Sequence, residues 1–163
     1  MADADDAVTL SRAKLDEATD DDLLNLVHDR LMDLTRRHLG DDSHVYQLPR
    51  GFQLLWAIEM VDAEIIKDGL PQVFETSTVH WIHDAVDAFQ RIGTLGHAAV
   101  LERAVETVFG QPLGGADLQP VDDMTDQTFE ALGRLGDEYN DQPAFADELT
   151  AFIRQNPGLY VVS

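Results

Sequence analysis

The chain has 163 residues, of which 44% are hydrophobic, so it has the length for one folded domain and is too apolar to be a disordered acidic tail. Its 31 Asp and Glu residues against 11 Lys and Arg residues give a formal net charge of −20, which argues against direct binding to nucleic acid or to an anionic membrane. The absence of cysteine excludes disulfides, thiolate metal sites and a cysteine nucleophile.

The spacing of apolar residues predicts an all-α fold. These residues recur every three or four positions nearly throughout, and no run of strand length alternates between apolar and polar. We expect residues 1–9 to be disordered or frayed and residues 10–163 to form a single domain, a bundle of five to seven helices. The acidic start lacks the order of a signal peptide, and no apolar stretch approaches the roughly 20 residues that span a bilayer, so we expect a cytoplasmic protein.

The first two predicted helices follow each other closely. Ser11 is expected to cap a short helix that ends near Ala18, and Thr19 to cap a longer helix that ends at Gly40. Carboxylates occupy the first turn of the longer helix, where negative charge is favoured by the helix dipole. Its predicted core stripe consists of Leu24, Val27, Leu31 and Leu34.

The later helices are predicted from their apolar stripes and from the glycines and prolines between them. A helix from about Pro49 to Lys67 is apolar nearly all round, which is typical of a central helix, and the segment Asp68–Pro71 is expected to turn the chain. The remaining helices are expected at about Ser77–Ile92, His97–Phe109, Asp126–Asn140 and Ala144–Gln155, with a loop at Gly110–Pro120.

Two rows of carboxylates are candidates for binding a partner. On the helix that follows Thr19, Asp22, Asp29 and Asp33 share the side opposite the core stripe, and helix neighbours at this spacing are roughly 5–6 Å apart. This distance is similar in scale to the phosphate spacing of a nucleic-acid strand, so the row could present a DNA-like charge pattern, although a solvated acidic face has the same pattern. The candidate partner-binding residues are Asp20, Asp21, Asp22, Asp29 and Asp33 on this helix and Asp84 and Asp87 on the helix at 77–92.

The helix at 77–92 also has a spacing that a metal site would use. Its polar row is formed by His80, Asp84, Asp87 and Arg91, and His83 flanks that row. Histidine and carboxylate side chains at helical spacing can ligate zinc or a similar cation, which keeps a metal-dependent hydrolase as an alternative. A solvated face in which Asp87 pairs with Arg91 fits the same pattern.

Other catalytic patterns are weak or absent. Glu59, Asp62 and Glu64 lie on the nearly all-apolar helix, where a buried carboxylate could act as an acid or base, but a carboxylate that reaches water or an Arg fits equally. His97 lies near an apolar face and is expected either in the core or as a cap for the loop before it. There is no Gly-x-Ser-x-Gly elbow and no phosphate-binding glycine loop, so we predict no catalytic residue, no cofactor and no resident metal.

The order of features in one long stretch resembles a known family. From about Leu48 to Val108, an apolar helix leads through the turn Gly69-Leu70-Pro71-Gln72-Val73-Phe74 into an amphipathic helix that ends at Ile92-Gly93. This order resembles a bacterial all-helical family, long of unknown function, that includes a DNA-mimic protein, and segments 132–139 and 152–156 resemble its closing helices. Of the family's usual turn, Asn-Gly-Gly-Phe-x-Gln-Tyr-Phe, the chain keeps one glycine, the Gln and the last Phe.

The resemblance implies a non-enzymatic acidic protein, a monomer or a homodimer, that occupies the DNA-binding surface of a basic protein such as a transcriptional regulator. The net charge of −20 favours a basic partner independently, because a negative surface attracts positive ones. A helical protein of unrelated role, whose acidity is an adaptation to high salt, is the other alternative.

Overall fold

The structure is a computed structural model that describes residues 10–38 and 40–162, so the prediction for residues 1–9 lies outside the described residues. These described residues contain helices and no strand, which confirms the all-α class. No helix among them is both long and apolar enough to cross a bilayer. They form eight α-helices: α1 (Arg12–Glu17), α2 (Asp20–Thr35), α3 (Arg50–Asp68), α4 (Leu70–Glu75), α5 (Ile82–Ile92), α6 (Leu95–Phe109), α7 (Asp126–Asp141) and α8 (Ala146–Gln155).

The described chain contains two compact units. Residues 57–144 form one, called the central unit here, and the described parts of 1–56 and 145–163 form the other, called the terminal unit. Helix α3 begins in the terminal unit and continues into the central unit. The single domain expected over residues 10–163 stays a prediction.

In the terminal unit, Arg154 of α8 joins the end of α1 to the start of α2. Its guanidinium donates to the backbone oxygens of Leu15 (2.8 Å) and Ala18 (2.6 Å) and to Oδ1 of Asp20 (2.8 Å). The last carbonyls of a helix have no partner within the helix, and the helix dipole favours a cation beside them. One side chain therefore fixes three helices to each other.

The two predicted caps in this unit have different outcomes. Oγ of Ser11 accepts a hydrogen bond from the backbone amide of Lys14 (3.3 Å), so Ser11 caps α1 as predicted. Thr19 occupies the predicted cap position of α2, but its hydroxyl donates to Oδ2 of Asp22 (2.9 Å) and accepts nothing from the backbone. Asp22 is thereby held in place at the first turn.

The buried stripe of α2 differs from the predicted one. Leu24 and Leu34, both predicted in the core, are only half-buried. The buried residues of α2 are Leu23, Val27, Leu31 and Thr35. Thr35 is accommodated in the core because its hydroxyl donates to the backbone oxygen of Leu31 (3.0 Å), a bond that polar patterning alone does not reveal.

In the central unit, α4 is the helix that the sequence pattern missed. Gly69 separates α3 from α4 with a positive φ of 90°, and Pro71 lies in the first turn of α4, where its missing amide donor costs nothing. Six residues are too few for helical periodicity to distinguish a helix from the turn that was expected. Helix α7 approaches α4 closely, because a Cβ at Gly136 would lie only 3.3 Å from Cβ of Leu70.

Two predicted helix starts are shifted along the chain. A 3-10 turn over Ser77–Trp81 precedes α5, which ends as predicted at Gly93, where φ is 86°. Helix α6 begins at Leu95, so Gly96 lies inside the helix, and the side chain of Gln142 occupies the space that a Cβ at Gly96 would need. Of the core residues that helical spacing predicts on these helices, Val108 is only half-buried. The others are buried: Val79, Ile82, Val86, Phe89, Ala98, Leu101, Ala104 and Val105.

Two helical glycines should respond in opposite ways to replacement by alanine. A Cβ at Gly51 would lie 2.6 Å from a ring carbon of Tyr160 and 2.7 Å from the backbone oxygen of Leu159, so Gly51→Ala should lower the free energy of unfolding by about 1–3 kcal/mol. A Cβ at Gly133 of α7 would meet nothing within 4 Å, so Gly133→Ala should raise it by about 0.5–1 kcal/mol. Urea unfolding of both variants measures the difference, and equal effects would contradict the packing at Gly51.

Candidate partner-binding surfaces

The carboxylate row predicted on α2 lies on the outside of the terminal unit. Asp22 and Asp29 are exposed and Asp33 is half-buried. The three positions lie on the side of α2 opposite the buried Val27 and Leu31, as helical spacing requires. The structure therefore brings these three side chains into one row.

Ion pairs within the chain already neutralise part of the predicted α2 surface. Asp20 pairs with Arg154 (2.8 Å) and Asp33 pairs with Arg36 (3.4 Å). The α2 carboxylates that form no ion pair with a described residue are Asp21, Asp22 and Asp29. The free negative charge of α2 is therefore smaller than the sequence indicates.

Helix α8 brings a further carboxylate to the start of α2. An open groove of about 330 Å³ is lined by Asp20 and Asp21 of α2 and by Asp147 and Arg154 of α8. Asp147 was not predicted as a site residue, because only the packing of α2 against α8 places it beside residues so distant in sequence.

The second predicted row, on α5, lies in the central unit and does not form a metal site. Asp87 pairs with Arg91 (3.1 Å), which is the solvated ion pair that the spacing also allowed. Among the described residues, no three His, Asp or Glu side chains are grouped so that they could hold a metal ion. The metal-dependent hydrolase based on His80, Asp84 and Asp87 is therefore left without its expected ligand cluster.

A polar cluster lies inside the central unit, around Tyr139 of α7. Its hydroxyl donates to Oδ1 of Asp62 on α3 (2.9 Å). The buried ring of His97 on α6 stacks on Phe89 of α5, with ring centroids 4.9 Å apart, and meets the Tyr139 ring edge-on at 5.0 Å. His97 is therefore a core residue, which is one of the two roles expected for it, and the cluster links α3, α5, α6 and α7.

Burial determines how this cluster titrates. It raises the pKa of the Asp62 carboxyl, against smaller opposite effects of the Tyr139 hydrogen bond and of nearby His97. It also raises the pKa of Tyr139 far above the usual range, and the charge of Asp62 and the hydrogen bond to it act in the same direction. Tyr139 is therefore a neutral donor at physiological pH, which suits a structural contact.

A second carboxylate of α3, Glu64, is held by two hydroxyl groups. Thr76 donates to Glu64 Oε1 (3.2 Å), and the buried Thr78 donates to Oε2. These bonds fasten α3 to the segment between α4 and α5. Asp62 and Glu64, considered in the sequence as acid–base candidates, are thus packing contacts within the central unit.

Among the described helices, α7 has the most exposed carboxylates without an ion pair to a described residue, and the sequence analysis predicts no site there. Asp126, Glu130, Asp137 and Asp141 are exposed, and none of their carboxylates forms a hydrogen bond or ion pair with a described residue. Their spacing of four, seven and four residues places them on one side of the helix, opposite the buried Tyr139. That spacing was visible in the sequence and could have identified the row.

The negative charge is concentrated in the central unit. Residues 57–144 contain 17 Asp and Glu residues and only four Lys and Arg residues. Three of these bases are paired within the unit: Lys67 with Asp68 (3.8 Å), Arg91 with Asp87 (3.1 Å) and Arg103 with Glu138. The surface of this unit is therefore left with a large excess of carboxylates.

These features define a class of protein: a helical, strongly acidic protein whose free carboxylates lie on exposed helix faces. The chain belongs to the family described as DMP19-like protein, whose model matches residues 46–156. That range contains the segments that resemble the family, at 48–108, 132–139 and 152–156, and confirms the resemblance. No curated protein and no solved structure matches the chain.

Because Tyr139 donates a hydrogen bond to Asp62, removing its hydroxyl should destabilise the fold more than removing the hydroxyl of the other buried tyrosine, Tyr160. Tyr139→Phe should lower the free energy of unfolding by about 1–3 kcal/mol at neutral pH, because the half-buried carboxylate of Asp62 loses its donor. The matched control is Tyr160→Phe, since the buried Tyr160 hydroxyl has no partner among the described residues and should cost little. Urea unfolding compares the two, and similar losses would contradict a stabilising Tyr139–Asp62 bond.

Because the pKa of Asp62 is raised, replacing this carboxyl by a neutral amide should increase the free energy of unfolding by an amount that depends on pH. The folded chain holds this proton more tightly than the unfolded chain, so the stability that the carboxyl contributes is greatest below the unfolded pKa of 3.8 and falls as the pH rises through the folded value. The unfolding free energy of Asp62→Asn, relative to the parent, should therefore increase between about pH 4 and pH 7. A constant difference over that range would show that Asp62 has its ordinary pKa.

Proposed function

We propose that the protein is a DNA mimic, a non-enzymatic binding protein whose carboxylates take the place of phosphates on the DNA-binding surface of a basic protein. The family match over residues 46–156 is the observation that supports this function, because DMP19, for which the family is named, is a DNA mimic protein. A transcriptional regulator is the partner class that fits, and a partner of this kind implies a cytoplasmic location.

The placement of charge supports the same function on physical grounds. Residues 57–144 contain 17 acidic residues on a helical scaffold whose core is closely packed, so their carboxylates are ordered before a partner arrives. A preordered surface loses little conformational entropy on binding. Association should be fast at low salt and weaken as salt screens the charges, with a screening length of about 8 Å at physiological ionic strength.

The candidate contact residues on α2 and α5 are not equivalent in this proposal. Asp20, Asp33 and Asp87 already pair with a base of the same chain, and a partner would have to displace that base to use the full charge. The exposed Asp21, Asp22 and Asp29 require no such exchange. We propose these three as the stronger contacts of the α2 row.

The proposed function predicts that duplex DNA and the protein compete for one basic protein. The tagged chain is used to capture proteins from its native lysate, and the column is then eluted with a short duplex DNA or, in parallel, with polyglutamate of equal total charge at the same ionic strength. The duplex should release a DNA-binding protein from the column, whereas polyglutamate should leave that protein bound. Specific recognition requires the geometry of the charges as well as their number.

Two further results decide the outcome. The recovered protein, once purified, should lose its DNA in a mobility-shift titration when stoichiometric amounts of the chain are added. Recovery only of abundant basic proteins, released equally by both polyanions, would contradict the proposal and favour acidity as an adaptation to salt.

A further inference from the structure

The outer side of α7 has no helix of the central unit packed against it. The inner side of α7 packs on α6 and on α4 through residues such as Leu132, Gly136 and Tyr139, which are buried. The outer side is formed by exposed residues, six of which we call the α7 face: Asp126, Phe129, Glu130, Gly133, Asp137 and Asp141. The exposed Arg134 lies on the same side of the helix, beside Glu130 and Asp137. The helix is 16 residues long, so the face extends about 22 Å along the axis from Asp126 to Asp141.

Phe129 is the feature that distinguishes this face from a solvated acidic surface. Its side chain is 53% exposed, although it lies between the acidic neighbours Asp126 and Glu130. It also forms no ring contact with a described residue. Large aromatic side chains surrounded by polar groups are the type of residue that supplies most of the binding energy in protein interfaces.

Gly133 leaves the backbone accessible one turn beyond Phe129. A Cβ at this position would meet nothing within 4 Å, so the glycine is not required by packing in the central unit. A helical glycine without a packing role lowers helix stability relative to alanine. On the α7 face it provides a shallow gap between Phe129, Glu130 and Asp137 that a partner side chain can enter.

Charge identifies the occupant of the face. Between residues 117 and 141 the chain has eight Asp and Glu residues and one base, Arg134. A second copy of the chain that docked through the same face would place these carboxylates against each other, which costs free energy. A basic surface instead pairs with the carboxylates while an apolar side chain among its Lys and Arg residues covers Phe129.

We propose that the α7 face is the main docking surface for the basic partner, with Phe129 as its apolar anchor, and that the partner contributes a Lys- and Arg-rich DNA-binding surface containing an apolar side chain. This inference rests on the proposed DNA-mimic function and assigns it a location that the sequence did not predict. The carboxylates supply attraction and orientation, and Phe129 supplies a contact that a simple polyanion lacks.

The test uses two defined peptides of 16 residues as probes. One has lysines and leucines at helical spacing, and the other has serine in place of every leucine, so that both have the same charge. Amide chemical shifts of the intact, isotope-labelled chain report where each peptide binds. The lysine–leucine peptide should shift α7 amides around Phe129 and bind about tenfold more tightly than the lysine–serine peptide.

Matched variants separate the position of the charge from its total. Glu130→Gln, Asp137→Asn and Asp141→Asn together remove from the α7 face three exposed carboxylates that form no ion pair with a described residue. The control removes three exposed carboxylates that lie outside the proposed contacts and form no ion pair with a described residue: Glu17→Gln, Glu75→Gln and Glu148→Gln. The α7 triple variant should weaken binding of the lysine–leucine peptide about tenfold, and the control by less than about threefold.

Two single variants test the anchor and the gap without changing the charge. Phe129→Ser should remove most of the advantage of the leucine peptide over the serine peptide, which is the coupling expected of a direct contact. Gly133→Gln should weaken both peptides, because a long side chain then occupies the gap. Both positions are exposed, and circular dichroism verifies that each variant remains folded.

The outcomes distinguish the docking surface from the function. Shifts confined to α2 or α5, or spread evenly over the acidic surface, would overturn the assignment to α7 and leave the DNA-mimic function standing. Equal losses in the two triple variants would overturn it too. The DNA-mimic function itself is tested separately by the elution experiment. It fails if duplex DNA and polyglutamate release the captured proteins equally.

Discussion

The chain has an excess of 20 negative charges, and the packing of its helices is what opposes their mutual repulsion. The buried residues of the described chain are therefore almost all apolar, and the buried polar ones are limited to Thr35, Thr78 and His97. The two α3 carboxylates that point inward, Asp62 and Glu64, are each held by a hydroxyl donor. Every other role of the carboxylates depends on this division between an apolar inside and a charged outside.

Two of the few bases connect helices that are distant in the sequence. Arg154 satisfies the last carbonyls of α1 and at the same time pairs with Asp20. Arg103 and Glu138 connect α6 to α7 across the groove between them. Exposed ion pairs of this kind contribute only about 0–1 kcal/mol each, so the bases orient the helices more than they stabilise them. The chain thereby keeps most of its negative charge available.

Much of the fold could be predicted from the sequence, because amphipathic helices with clear ends obey local rules. The Ser11 cap, the stop at Gly93 and the core residues of α5 and α6 all follow from spacing within a few turns. Helix α4 could not, because six residues after Gly69 resemble a turn. Tertiary contacts could not be predicted from local spacing either, because the partners of Asp20 and Asp62 lie 134 and 77 residues away in the sequence.

The rows of carboxylates could be predicted from the sequence, but not which of their members pair with a base of the same chain. Carboxylates at helical spacing were recognised on α2 and α5, where bases nearby in space turned out to pair with some of them. On α7 the acidic row was present in the sequence, but its importance depends on two facts that only the structure supplies. These are the exposure of Phe129 and the absence of ion pairs to described residues at Asp126, Glu130, Asp137 and Asp141.

In the terminal unit, the two ends of the described chain lie close to each other. The backbone amide of Val162 donates to the backbone oxygen of Leu10 (3.3 Å), and Arg154 ties α8 to α1 a few residues further in. Segments that lie at opposite ends of the sequence are thus neighbours in space. A circular permutant is therefore geometrically accessible: a short linker can join residue 162 to residue 10, and new ends can be opened at the exposed Gly110 and Gln111 without interrupting a helix.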